Sequence, residues 1–405
     1  MRNVFPWILL ITIIFSAYVV PPDAASEPLT IDGSTQLLWG DDLLDDDQSI
    51  LSQYLRFSYS PEEKNYRIYG YGRVWDDFSG GKIREDDLSG RIYYLYVDYA
   101  PKEDRSFRFG RQFVTFTAGS SIIDGLSVDI RNLGPVGVTL SGGTEVTYSL
   151  DSDHSAIGDY FTGIDVFLEK IASTQFGVSY VRTYDDGDRA REEFGLNARY
   201  FYKSLSPYTD LRYNWLSKSF DEASIGIDFF PIEYLMIKTE FYHSYPTFDS
   251  TSIYSVFAVD KYREYYVRAD YSLEDTPLVL SVSYVRQLYE DSDNADVYAV
   301  GASFNPDKLL VRTSVDYRKG YGGKLWGFEV YGDYTLRKDR ILSAGVQYDT
   351  YRRPDYSDDD YAQRYWAGGK WIVNDKTSLD ARLEANVNQN FEHNILGRIS
   401  LDWQL

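Results

Sequence analysis

Few side chains here have the chemistry of a catalyst or a metal ligand. The 405 residues include no Cys and only three His. Disulfides, thiolate metal sites, cysteine nucleophiles and covalent haem attachment through C-x-x-C-H are therefore excluded. His154 lies in an acidic stretch, His243 at the end of an alternating segment, and His393 beside the last such segment. None stands near a recognisable nucleophile motif, so the chain reads as a non-enzyme with no cofactor of its own. What it has in quantity is charge: 41 Lys and Arg against 62 Asp and Glu, a net of −21. A pI near 4.6 excludes nucleic acid as a partner, because phosphate-backbone binding needs clustered Lys and Arg.

The charges fall into two patterns. In the first, opposite signs interleave on one face of alternating segments: Arg67 and Arg73; Asp210 and Arg212; Glu264, Arg268 and Asp270; Arg312, Asp316 and Arg318; Asp380, Arg382 and Glu384; Arg398 and Asp402. Such groups cost several kcal/mol each in hydrocarbon, so they belong on a water-facing side. They can form a lattice of cross-strand ion pairs or a selectivity filter. A filter needs opposed clusters of one sign, and no such cluster is visible within these segments.

In the second pattern, acid is concentrated in runs. These are DDLLDDDQS (Asp41, Asp42, Asp45, Asp46 and Asp47), DDFSGGKIREDDLSG from Asp76, DSDHSAIGD from Asp151, DDGDRAREE from Asp185, EDSDNAD from Glu290, and RRPDYSDDD, which ends in Asp358, Asp359 and Asp360. They carry nearly all the net charge. Solvation is the plain reading. An electrostatic funnel for cations or a basic partner is the functional one, and divalent bridging to anionic lipid is a third. None of the runs completes the template D-x-[DN]-x-[DN]-G-x5-E, so no dedicated metal site is expected.

The elements that must position these groups have a period of two. Phe176, Val178 and Tyr180 alternate with Gln175, Gly177 and Ser179; Leu379, Ala381, Leu383, Ala385 and Val387 alternate with Ser378, Asp380, Arg382, Glu384 and Asn386. Each set lies on one face of a strand. No segment shows a clear apolar stripe at helical spacing, which departs strongly from ordinary globular composition. With 25% charged residues and a mean hydropathy of −0.39 the chain would pass for soluble, but Tyr-rich alternation hides membrane strands from such averages.

Residues 1–26 read as a cleaved signal peptide: Arg2, an apolar run from Val4 to Val20, then Ala24-Ala25-Ser26. From there on, residues 27–405 form one domain. Short connections at 60–65, 100–104, 132–135, 203–207, 230–233, 274–277, 305–308, 337–340 and 374–376 are rich in Pro, Asp, Asn and Lys. Mostly longer, polar ones lie between them at 41–49, 76–90, 144–157, 184–190, 244–261, 290–295 and 351–360. Short turns on one rim and long loops on the other is the arrangement of outer-membrane barrels. The expectation is an all-β transmembrane antiparallel β-barrel of about 22 strands (roughly 20–24), with 252–259 assigned to a loop. Trp39, Trp75, Trp215, Trp366 and Trp403 are expected in interfacial girdles.

The last strand alternates Ile399, Leu401, Trp403 and Leu405 with Ser400, Asp402 and Gln404. It resembles the final strand of bacterial outer-membrane β-barrels, although the chain ends in Leu405 where that family usually has Phe. RFGRQ (Arg108 to Gln112) followed by DGL (Asp124 to Leu126) resembles a strand–turn–strand of porin-like outer-membrane families. The size, the lack of a plug segment and the acidic connections are also similar to the porin-like sheath of porin–cytochrome conduits. The porin resemblance implies a water-lined passage for small solutes or ions. The conduit resemblance implies a barrel around a periplasmic multihaem cytochrome, touching an outer-surface one. Outer-membrane lipid is the expected surround in either case.

Overall fold

Alternating Val, Ile, Leu, Tyr and Phe favour extended backbone, and in lipid every backbone polar group must be paired within the protein. The chain meets both demands with strands alone. The computed structural model describes residues 28–405 except 42–46, 63, 80–87, 149–152, 155–157, 170, 246–261, 291–292, 321–322, 353–359 and 389–390. No helix among the described residues is long and apolar enough to cross a membrane.

The first strands are β1 (Leu29–Asp41), β2 (Asp47–Tyr59), β3 (Tyr66–Asp77), β4 (Ser89–Lys102), β5 (Arg105–Phe116), β6 (Gly119–Leu133) and β7 (Val136–Glu145). Two short segments, β8 (Thr147–Tyr148) and β9 (Asp153–His154), form a separate ribbon. There follow β10 (Tyr160–Leu168), β11 (Thr174–Asp185), β12 (Asp188–Tyr200), β13 (Leu205–Asn214), β14 (Ser219–Ile232), β15 (Leu235–Ser244) and β16 (Tyr262–Ser272). The last are β17 (Leu278–Tyr289), β18 (Ala295–Phe304), β19 (Leu309–Gly320), β20 (Gly323–Arg337), β21 (Arg340–Arg352), β22 (Asp360–Asn374), β23 (Thr377–Asn388) and β24 (Phe391–Gln404).

Each barrel strand pairs antiparallel with its neighbours in sequence, and β1 pairs with β24, closing a 22-stranded barrel. At the closing seam, Gly33 lies opposite Trp403 and Trp39 opposite Gly397. A Cβ on Gly33 would sit 2.2 Å from the Trp403 ring, and one on Gly397 2.1 Å from the Trp39 ring. Each indole therefore lies flat over the cross-strand glycine, filling the space a side chain would take.

The short connections share a rim with both chain ends, as the sequence implies, and β10–β11 adds one at 169–173 that composition did not reveal. The loop expected at 184–190 is instead a two-residue turn. Asp186 (φ 52°) and Gly187 (φ 85°) both take the left-handed conformation, as the tightest twisted hairpins require. Asp-Gly supplies it, so β11 runs to Asp185 and β12 starts at Asp188. The segment 252–259 and the signal peptide lie outside the described residues.

One seam is only half zipped. β4 and β5 pair from Lys102 and Arg105 up to Leu95 and Arg111, and no further towards the loop rim. Gly110 marks the place: its φ is +126°, and a Cβ there would meet the Leu95 carbonyl at 2.3 Å. Past it β5 stays paired with β6, and their shared tip, Thr117 and Ala118, swings across to β11 and β12. Two side chains satisfy carbonyls that β4 leaves open: Arg111 Nη1 donates to Ile92 O (3.3 Å), and Tyr148 Oη donates to Ile92 O and Tyr93 O (3.2 Å each).

Candidate functional site: the inner wall

The swung tip identifies the inside of the barrel. Ala118 N donates to Ser179 Oγ (2.7 Å), Thr117 Oγ1 to Asn197 Oδ1 (3.2 Å), and Phe116 stacks on Phe161 at 6.1 Å. In the ladder β7 and β10 lie between β6 and β11, so so short a tip can span them only along the concave side. Ser179, Asn197 and Phe161 thus face the interior, and register carries that parity around all the strands. Val114, Phe116, Ala118, Ile123, Phe161 and Val181 form a small buried apolar cluster under the tip. It narrows the loop-side mouth.

The interleaved charges lie on this inner face, and most are bonded into its wall. Arg212 contacts Glu222 at 2.9 Å and Glu193 at 3.7 Å, while Asp210 lines a nearby recess with Asp165 and Asn197. Arg268 clasps Asp270 with its Nη2 at 2.8 Å, and Glu264 accepts from Tyr262 Oη. Arg364 grips Glu384 through two bonds (2.8 and 2.9 Å), Arg382 reaches the same carboxylate at 3.1 Å, and Arg398 meets Asp380 at 3.2 Å. Arg312 and Arg318 donate to the hydroxyls of Tyr331 and Tyr289. Asp316 lies against Gly327, and Asp402 lines a 540 Å³ recess at the turn-side rim together with Arg56, Lys370 and Asp32. The prevailing arrangement is a lattice of neighbours rather than two opposed rings.

Trp75 and Trp366 are corrected by the register. Both point inward, Trp75 beneath Arg73 (4.7 Å) and Trp366 beneath Arg382 (4.3 Å). Period two read locally gives two faces without saying which one a lone aromatic occupies. Trp39 and Trp403 face outward at opposite ends of adjoining strands, and Trp215 leaves β13 at the loop rim.

Of the acidic rim residues, Asp42, Asp45, Asp46, Asp358 and Asp359 lie outside the described residues. Asp41, Asp47 and Asp360 end or begin strands at that rim. No group of three or more His, Asp or Glu is placed to hold a metal among the described residues. His243 takes the outward parity of β15.

Two features were not read from the sequence. Arg111 and Asp124, both within the RFGRQ and DGL segments, face outward as a two-point ion pair (2.9 Å each) between the exposed rings of Phe109 and Phe113. The other is a strip of Tyr and Arg on the inner faces of β2, β3 and β4. Tyr54, Tyr71 and Tyr93 stack in sequence (6.4 and 5.0 Å), and Tyr69 pairs with Tyr96 at 5.2 Å. Arg56 lies over Tyr71 (5.4 Å) and Arg73 over Tyr54 (5.2 Å). No single strand holds this cluster; only the staggered register assembles it.

No protein-family model and no curated protein matches the chain. Solved structures do resemble it. The ferric enterobactin receptor PfeA of Pseudomonas aeruginosa aligns with a TM-score of 0.63 at 10% identity, covering 95% of this chain and 81% of that one. The siderophore receptor PirA of the same organism gives 0.61 at 11% identity, with the same coverage. A BenF-like porin from Pseudomonas fluorescens gives 0.50 at 10%, covering 93% of this chain and 98% of that one. At these identities the likeness is one of fold: the closed antiparallel barrel of outer-membrane proteins.

Proposed function

We propose that this barrel is an outer-membrane pore that passes small solutes or ions through a water-lined interior. The observation that carries the reading is the inner wall itself. Ion pairs, hydroxyls and amides line it from strand to strand, while the outward parity carries Leu, Val, Ile, Tyr and Phe, many of them exposed. Such a wall is stable against water and costly against lipid. The porin-like fold supports the same reading.

Purified protein in liposomes tests it. Osmotic swelling in arabinose, glucose and raffinose should be fast for the smaller sugars and fall with size. No swelling in any of them overturns the pore. The second reading, a sheath around a multihaem cytochrome, is favoured by the width that 22 strands enclose. It predicts haem absorbance co-purifying from the native membrane and solute flux only after the haem protein is stripped away.

A further inference from the structure

We infer that the Tyr–Arg strip on β2, β3 and β4 is a binding track for organic anions bearing carboxylates. The inference rests on the pore reading and names the solute class for it. Three guanidinium groups cluster in this sector without a carboxylate; Arg312 and Arg318 on β19 also lack one among the described residues, but donate to the Tyr331 and Tyr289 hydroxyls. Arg56, Arg67 and Arg73 have no carboxylate within 4.0 Å among the described residues, whereas Arg212, Arg268, Arg364 and Arg398 each have one. Arg73 is held in place by Ser52 Oγ (2.8 Å to Nη2) and by the rings of Tyr54 and Trp75, and Arg56 lies over Tyr71. Ring contacts fix a guanidinium without using its N–H donors; Arg73 spends its Nε–Nη2 edge on Ser52 Oγ and keeps the Nη1–Nη2 end for a two-point clasp on a carboxylate.

Hydroxyls complete the track. Those of Tyr54, Tyr69, Tyr71, Tyr94 and Tyr96 have no hydrogen-bond partner among the described residues, and each can donate to an anion. Arg67 lies near the turn rim and Arg73 six positions along β3, so the strip runs about 20 Å of the wall at about 3.3 Å per residue. The carboxylates nearby are engaged or set aside. Asp98, opposite Arg67, is held by Ser106 Oγ (2.5 Å) and Arg108 (3.5 Å); Asp77 accepts from Ser79; Asp32 lies directly opposite Arg56 on β1 and shares its recess, but forms no ion pair with it. The acidic outer rim does not cancel the track, because screening confines its field to about 8 Å at physiological ionic strength. A solute inside therefore meets successive guanidinium clasps and phenol donors from one mouth towards the other.

Liposome flux of glucuronate against glucose, two solutes of similar size and different charge, tests the track. Wild-type protein should pass glucuronate about tenfold faster, the lower end of electrostatic enrichment in a charged cleft. The variant Arg56→Gln/Arg67→Gln/Arg73→Gln should bring that ratio close to unity. A second variant, Arg268→Gln/Arg364→Gln/Arg398→Gln, removes the same charge from wall ion pairs and should keep at least half of the wild-type ratio. Heat-modifiable gel mobility reports whether each variant forms a closed barrel. If the first variant leaves the ratio unchanged, or both lower it equally, the track is wrong while the pore stands. If wild-type protein passes neither solute, the pore reading fails and takes the track with it. Tyr54→Phe/Tyr71→Phe gives a milder check: glucuronate flux should fall about threefold with glucose flux unchanged, as expected for lost donors of ordinary strength. An unchanged glucuronate flux removes the hydroxyls from the track.

Discussion

The outward ion pair between Arg111 and Asp124 makes a sharp prediction about stability. Asp124 is gripped at both carboxylate oxygens, at 2.9 Å each, and Arg111 also satisfies the Ile92 carbonyl at the half-zipped seam. The two side chains retain only 19% and 33% of their exposure and share the outward, membrane-facing parity with the Phe109 ring, which is 70% exposed. Arg111→Met would strip the carboxylate of its two-point guanidinium clasp and the Ile92 carbonyl of one of its two donors. A cost of about 3–5 kcal/mol is expected, as for removal of one member of a desolvated pair. Arg111→Met/Asp124→Leu removes both charges and should recover all but about 1–2 kcal/mol, the remainder being the lost guanidinium bond to Ile92 O, which keeps Tyr148 as its donor. The double variant should thus be about 2–3 kcal/mol more stable than Arg111→Met alone, where additive sites would make it less stable. Urea unfolding of vesicle-inserted protein, followed by Trp fluorescence, measures all four corners of the cycle. Additive single and double effects would refute the pairing and its placement against lipid.

Other expectations follow from single contacts. Gly110→Ala forces a Cβ to within 2.3 Å of the Leu95 carbonyl at a φ of +126°, so barrel yield or urea midpoint should drop by the equivalent of about 1–3 kcal/mol; an unperturbed midpoint would show that the bend does not depend on glycine. Ser179→Ala takes away the acceptor for the buried Ala118 amide, and hydrogen exchange at Ala118 should accelerate by about tenfold or more, with a larger single-channel conductance as the tip loosens. Replacing the Asp run at 41–47 with Asn should lower cation preference in a salt gradient if the rim acts as a funnel; an unchanged reversal potential and unchanged partner binding leave only solvation for those residues.

The fold was legible because one rule repeats. Leu379 to Val387 shows the alternation without ambiguity, and the Pro- and Asn-bearing turns locate one rim. Where the reading missed, the deciding information was not local. At Asp186-Gly187 the acidic composition suggested a loop, while the positive-φ pair made a tight turn. Trp366 satisfies the period on either face, and only its pairing with Gly345 and Glu384 turns it inward. The Tyr–Arg strip draws on three strands whose stagger no single segment encodes. Arg56 alternates with Leu55 and Phe57 like any polar wall residue, and its lack of a carboxylate shows only once Tyr71 lies opposite it. Arg111 illustrates the converse: a charge in an alternating segment reads as water-facing until Asp124 is found beside it on the outer side.

A chain without cysteine invites the most direct test of a wet interior and a lipid-facing exterior. Single Cys residues placed along β23 at Leu379, Asp380, Ala381, Arg382, Leu383 and Glu384, in vesicle-inserted protein, can be treated with a charged methanethiosulfonate reagent that cannot enter hydrocarbon. Asp380→Cys, Arg382→Cys and Glu384→Cys should react rapidly, and Leu379→Cys, Ala381→Cys and Leu383→Cys should stay unmodified. Equal reaction at all six positions, or the opposite alternation, would contradict the barrel described.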